Sequence, residues 1–155
     1  MISRLRLTLS LSVAFLLQVM PLPTSLALLR PPFLVLAVAW WSMTAPRLGG
    51  IGAGFIAGLA LDVIRGAVLG QHALATALVA YVAVRQHLLV RHKPTLEQSL
   101  FVLGLLVMWQ TVVSLIDLWT GQAGDGWRSW IPVAVGALLW PVVAHILDRL
   151  APQAR

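Results

Sequence analysis

Between residues 48 and 71, small residues return at every fourth position: Gly50, Gly54, Gly58, then Asp62, then Gly66 and Gly70. Almost everything between them is apolar. Glycine at this interval lets a second backbone approach closely, which is how helices pack in lipid, where no hydrophobic force draws them together. One rung of the ladder is a carboxylate, and an acid among apolar neighbours is costly and serves a purpose where it occurs. Four residues of α-helix turn about 400°, so each rung drifts roughly 40° around the axis. Gly50 to Asp62 therefore form one broad small-residue face. Gly66 and Gly70 are expected to belong to a bend that begins at Arg65, outside that helix.

The surroundings make the helix a membrane helix. Of 155 residues, 59% are hydrophobic and 10% charged, where a soluble domain carries about 25% charged residues. The mean hydropathy is +0.89. Several apolar runs approach the roughly 20 residues that a bilayer crossing needs. The expected fold is an all-α integral membrane protein with six transmembrane helices in one domain, residues 1–155. The helices are placed at about 5–20, 31–45, 48–64, 71–90, 96–119 and 130–150. Arg4 and Arg6 before an apolar stretch resemble a signal peptide. The sequence that follows is Pro21-Leu22-Pro23 and not a small-x-small cleavage site, so this segment is read as a retained first span. The second segment is short: residues 33–45 extend about 20 Å against a core about 30 Å thick. Either residues 26–29 complete the crossing or neighbouring helices bury the segment. Trp40 and Trp41, near its end, read as part of an interfacial aromatic belt. Pro132 falls in the first turn of the last helix, and Pro141 is expected to kink it.

Charge sets the orientation. Six spans place both termini on one side, together with Arg4, Arg6, Arg47, Arg85, Arg91, Lys93, Arg149 and Arg155. The other side receives Arg30, Arg65 and Arg128. That asymmetry follows the positive-inside rule, with the termini cytoplasmic. It also explains the net charge of +6 without nucleic acid as a partner. The absence of cysteine excludes disulfides and thiolate chemistry. The polar loop 120–129, containing Asp125, lies on the outer side.

The candidate polar groups are few. Asp62 has Arg65 three residues on, so the two can pair on one helical face, pin the bend, handle a proton or ligand, or meet a partner protein. His72 can cap the next helix or bond to Asp62. Gln110, Ser114 and Asp117 share a face of the fifth helix, with Thr111 beside them, and suit hydrogen bonding between helices. His145 and Asp148 form a local pair near the inner surface. His87 and His92 do not share a face. No HExxH, GxSxG or P-loop pattern occurs, so no enzyme, cofactor or metal site is expected. The glycine face reads as packing, either within the bundle or against a partner helix.

A family likeness rests on particular residues: Arg30-Pro31, Trp40-Trp41, Ala45-Pro46-Arg47, and Trp140-Pro141 near the end. Its most specific part is Gly58-Leu59, Leu61-Asp62, Gly66 and the run Leu69-Gly70-Gln71-His72-Ala73-Leu74. These resemble the MreD family of bacterial rod-shape proteins, and the likeness covers the chain from end to end. The resemblance implies a non-enzymatic role in the inner membrane beside MreC, with the filament protein MreB, a SEDS-type glycosyltransferase and a penicillin-binding transpeptidase. It matches Gly58, Asp62, Gly66, Gly70 and His72, and more weakly Arg30, Pro31, Trp40 and Pro46. The family is also similar to the six-helix substrate-binding components of ECF vitamin transporters. That similarity leaves a second reading, a ligand-binding transport component with a polar pocket built from Asp62, His72, Gln110 and Asp117. An intramembrane enzyme is a third, and would need a carboxylate or histidine pair in a cavity. On the leading reading, the Gly50, Gly54 and Gly58 face receives the MreC transmembrane helix or a second copy of the chain.

Overall fold

In a computed structural model, residues 2–122 and 126–150 are described, with side chains from residue 4 onward. Asp125 and the 151–155 tail, with Arg155, lie outside the described residues. The described residues are helical, with no strand among them. The helices are α1 (Ile2–Val19), α2 (Thr24–Ala27), α3 (Phe33–Thr44), α4 (Ile51–Arg65), α5 (Gln71–Val90), α6 (Thr95–Thr120) and α7 (Ile131–Leu150). A 3-10 turn, Gly126–Trp130, leads into α7.

The short helix α3 is the hub. Every residue from Leu34 to Met43 is buried, as befits a helix that is apolar all round. It packs against α1, α5 and α7, and touches α4 and α6. Of the two possibilities open for this short segment, burial by neighbouring helices is the one observed. Residues 26–29 do not extend it; α2 is a separate turn, exposed at Leu26. Trp40 and Trp41 lie inside the core at 3% exposure each and meet edge to face, with ring centroids 5.1 Å apart. They are not belt residues. The Trp41 indole Nε1 donates to Ser10 Oγ at 2.7 Å and ties α3 to α1. The exposed tryptophans are Trp119, Trp127 and Trp130, grouped at one end of the bundle.

Three segments are long and apolar enough to cross a membrane: 71–90, 95–120 and 126–150. On α1, α4, α5, α6 and α7 alike, large apolar side chains face outward, among them Leu16, Ile56, Leu88, Leu118 and Leu138. A soluble surface does not carry such residues on all sides, whereas lipid accepts them. The α7 helix runs through Pro141 as one element. The α4 helix begins at Ile51, because Leu48 and Gly49 N–H first close a turn on Ala45 O. The expected pair of His145 and Asp148 does not form; both side chains are exposed.

Candidate functional site

The glycine ladder is spent inside the chain. Gly54 and Gly58 are buried against α5, the most extensive helix pair in the fold. A Cβ built on Gly58 would lie 2.6 Å from Ala73 Cα, and one on Gly54 would lie 2.9 Å from Thr76 O. The face that the sequence leaves open to a partner helix is therefore filled by α5 at these two positions. Gly50 stands apart as the residue before α4, where a Cβ would meet Pro46 O. Gly66 and Gly70 form the expected bend. Both have positive φ, +62° and +100°, a region that glycine enters without steric cost.

Close packing of α4 on α5 brings Asp62 to the first turn of α5. The carboxylate is fully buried. Its Oδ2 accepts from Gly70 N at 3.0 Å and Ala73 N at 3.2 Å. Its Oδ1 accepts from His72 N and from His72 Nδ1, both at 2.8 Å. A helix begins with four N–H groups that have no intrahelical partner, and here a side chain from the preceding helix satisfies three backbone donors. The helix dipole adds to the attraction. Asp62 thus caps α5 from outside, a role that Gly70 cannot fill with its own side chain.

Arg65 does not pair with Asp62. Its Nη1 approaches His72 Nε2 at 3.5 Å, a long contact. An arginine can only donate, so Nε2 is the accepting nitrogen and the ring proton sits on Nδ1, facing Asp62. The chain of contacts runs Arg65, His72, Asp62, α5. With both oxygens accepting hydrogen bonds, Asp62 anchors the start of α5.

Beside this anchor lies a cavity of about 460 Å³. Its wall is drawn from the ends of α1, α4 and α6, the start of α5, and the segments before α3 and α7. A second hollow of about 530 Å³ adjoins it and shares Gln110, Asp117, Gln122 and Ser129. Gln71 Nε2 donates to Asp117 Oδ1 at 2.6 Å and to Val113 O at 3.3 Å, which joins α5 to α6. Gln110 bonds instead within its own helix, to Ser114 Oγ at 3.1 Å, and Thr111 bonds back to Val107 O. Of the predicted site residues, Arg65, Gly66, His72, Gln110 and Asp117 line the cavity, while Asp62 stands behind His72.

The sequence reading missed much of this wall. Arg30 reaches from the segment before α3 to the end of α1, where Nη1 and Nη2 donate to Gln18 O and Met20 O. These are carbonyls of the kind that a helix terminus leaves unsatisfied. Gln18, Gln71 and Trp109 are all more than nine-tenths buried. Gln18 Oε1, Arg30 Nε, Gln71 Oε1 and Trp109 Nε1 find no hydrogen-bond partner among the described residues. Each such group costs about 1–3 kcal/mol if it stays unmet. The signal available in the sequence was a glutamine, Gln18, within the apolar stretch 13–20 and an arginine, Arg30, directly before Pro31 and Pro32.

The chain matches the family described as rod shape-determining protein MreD over residues 1–150. It is similar to the rod shape-determining protein MreD of Haemophilus influenzae, with 29% identity over 143 residues, covering 92% of this chain and 88% of the relative. No solved structure matches.

Proposed function

The chain belongs to the MreD family of rod shape-determining proteins, and we propose that it is an inner-membrane scaffold with no catalysis of its own that engages MreC within the bilayer. On this reading it supports peptidoglycan synthesis by the assembly containing MreB, the SEDS-type glycosyltransferase and the penicillin-binding transpeptidase. The observation that carries the reading is the family match along the chain, joined to how few of the described residues lie outside helices. The turns 66–70 and 91–94 are too short to form a binding domain. Contact with a membrane-anchored partner is then made through lipid-facing helix sides. Since α5 fills the Gly54 and Gly58 face, the partner sits on an outward side.

Photo-crosslinkers placed singly at Leu16, Ile56, Leu100 and Leu138 sample the exposed sides of α1, α4, α6 and α7. Capture of MreC is expected from one side or two adjoining sides and not from the rest. No capture from any of the four, nor from a fifth probe at Leu88 on the exposed side of α5, with MreC present in the same membranes, overturns contact within the bilayer.

The same reading has all six major helices crossing and both termini cytoplasmic, with α1, α3 and α4 completing the set. Because the chain has no cysteine, single cysteines report topology cleanly. Lys93→Cys is expected to react with an impermeant maleimide only after the inner membrane is opened, and Ala67→Cys before. The opposite pattern would reverse the orientation, and equal access at both sites would break the six-span arrangement.

A further inference from the structure

We propose that the cavity between the ends of α1, α4 and α6 and the start of α5 is a binding site for a phosphate ester that carries free hydroxyl groups. The inference goes beyond the scaffold role and depends on neither MreC nor the orientation of the chain. Two guanidinium groups, Arg30 and Arg65, line one cavity, and neither meets a carboxylate at ion-pair distance among the described residues. Two acids stand close by, and one of them, Asp117, lines the same cavity. Asp62 is covered by His72 and the first turn of α5, and Asp117 takes the amide of Gln71. The lining carries two guanidinium groups against one carboxylate, Asp117, an excess of positive charge that suits an anion, and the guanidinium fork matches phosphate oxygens in geometry.

The unmet groups in the wall refine the class. Arg30 Nε and Trp109 Nε1 are donors with nothing to accept from them, and Arg65 presents its guanidinium to the same space. Gln71 Oε1 and Gln18 Oε1 are acceptors with nothing donating to them. The Gln71 amide orientation follows from its Nε2, which already gives to Val113 O and Asp117 Oδ1. A bare anion answers the donors and leaves the amide oxygens unmet. A phosphate flanked by hydroxyls answers both sets. The volume, about 460 Å³, lies within the range of small-molecule sites. Such a group comes either as a lipid headgroup or as a free ester.

The test uses the full-length protein in dodecyl maltoside at constant ionic strength. Its unfolding midpoint is followed against sn-glycerol 3-phosphate, inorganic phosphate and phosphatidylglycerol, with sodium chloride as the control. A ligand held by the folded state alone raises the midpoint saturably. A rise with phosphatidylglycerol but not with the soluble ester assigns the site to a lipid headgroup. A rise with glycerol 3-phosphate, exceeding that with inorganic phosphate, assigns it to a free ester. Arg65→Gln is expected to weaken binding about tenfold or more, as loss of a charged hydrogen bond does. Trp109→Phe removes the unpartnered N–H together with part of a buried ring, so its ligand-free midpoint is expected to fall, and binding, read as the saturable rise above that lowered midpoint, should weaken about threefold to tenfold. If none of the three probes gives a saturable rise over sodium chloride, the cavity holds only water and the proposal fails. A rise that survives both substitutions unchanged would equally reject this site.

Discussion

Asp62→Ala is expected to remove about 3–5 kcal/mol of stability, because it leaves several buried donors without an acceptor at about 1–3 kcal/mol each. The substitution strips the acceptor from Gly70 N, His72 N, Ala73 N and His72 Nδ1 together. None of the three backbone donors has an intrahelical carbonyl to turn to, because they stand at the first turn of α5. The damage should be local at first: α5 frays from residue 70, and the α4–α5 hairpin loosens. Asp62→Asn is the sharper probe. It preserves shape and one acceptor but turns an NH2 group toward donors, so its loss is expected to be smaller, about 2 kcal/mol. Both are read as a fall in unfolding midpoint of the detergent-purified protein and in the amount recovered from membranes. An Asp62→Asn variant as stable as the parent would show that the negative charge is not what holds α5 in place.

Gly58→Leu is expected to be as severe, for a steric reason. The space that a side chain needs at residue 58 is occupied by the α5 backbone at Ala73. Backbone cannot swing aside as a flexible side chain can. Even Gly58→Ala should cost about 1–3 kcal/mol from overpacking, and leucine about 3 kcal/mol or more, with the hairpin forced apart. Gly52 supplies the contrast within the same helix. It is exposed, and nothing lies within 4 Å of a Cβ built there. Gly52→Ala should be neutral or stabilising by about 0.5–1 kcal/mol, since alanine favours helix over glycine. The paired outcome is checked by thermal unfolding of the two variants. Equal tolerance at residues 52 and 58 would mean that α4 and α5 are not closely packed.

These two effects share one cause. Glycines at 54 and 58 let α5 approach α4, and only at that distance does the Asp62 side chain reach the N–H groups of the next helix. Arg65 misses the carboxylate because His72 arrives first, brought in by the bend at Gly66 and Gly70. Three residues of helical spacing put Asp62 and Arg65 on neighbouring rows, and that spacing alone could not show that the turn folds a histidine between them.

Much of the architecture was legible because lipid leaves a chain few choices. Uninterrupted apolar runs, prolines at their ends and glycines at a bend say helix, turn and helix, since unpaired backbone has no solvent to bond to at that depth. The carboxylate inside such a run marked a point of strain that had to be met by something. What no pattern along the chain could tell is which helix covers which face. The glycine seam reads the same whether the covering helix is internal or foreign, and only the folded chain shows that α5 lies there. The burial of Trp40 and Trp41 likewise follows from α3 standing in the centre of the bundle, not from any residue near them in sequence. The polar cavity depends on the fold most of all. Gln18, Arg30, Gln71 and Trp109 belong to four separate stretches, and their meeting is set by how those stretches pack, because a side chain's partners are chosen by position in space and not by distance along the backbone.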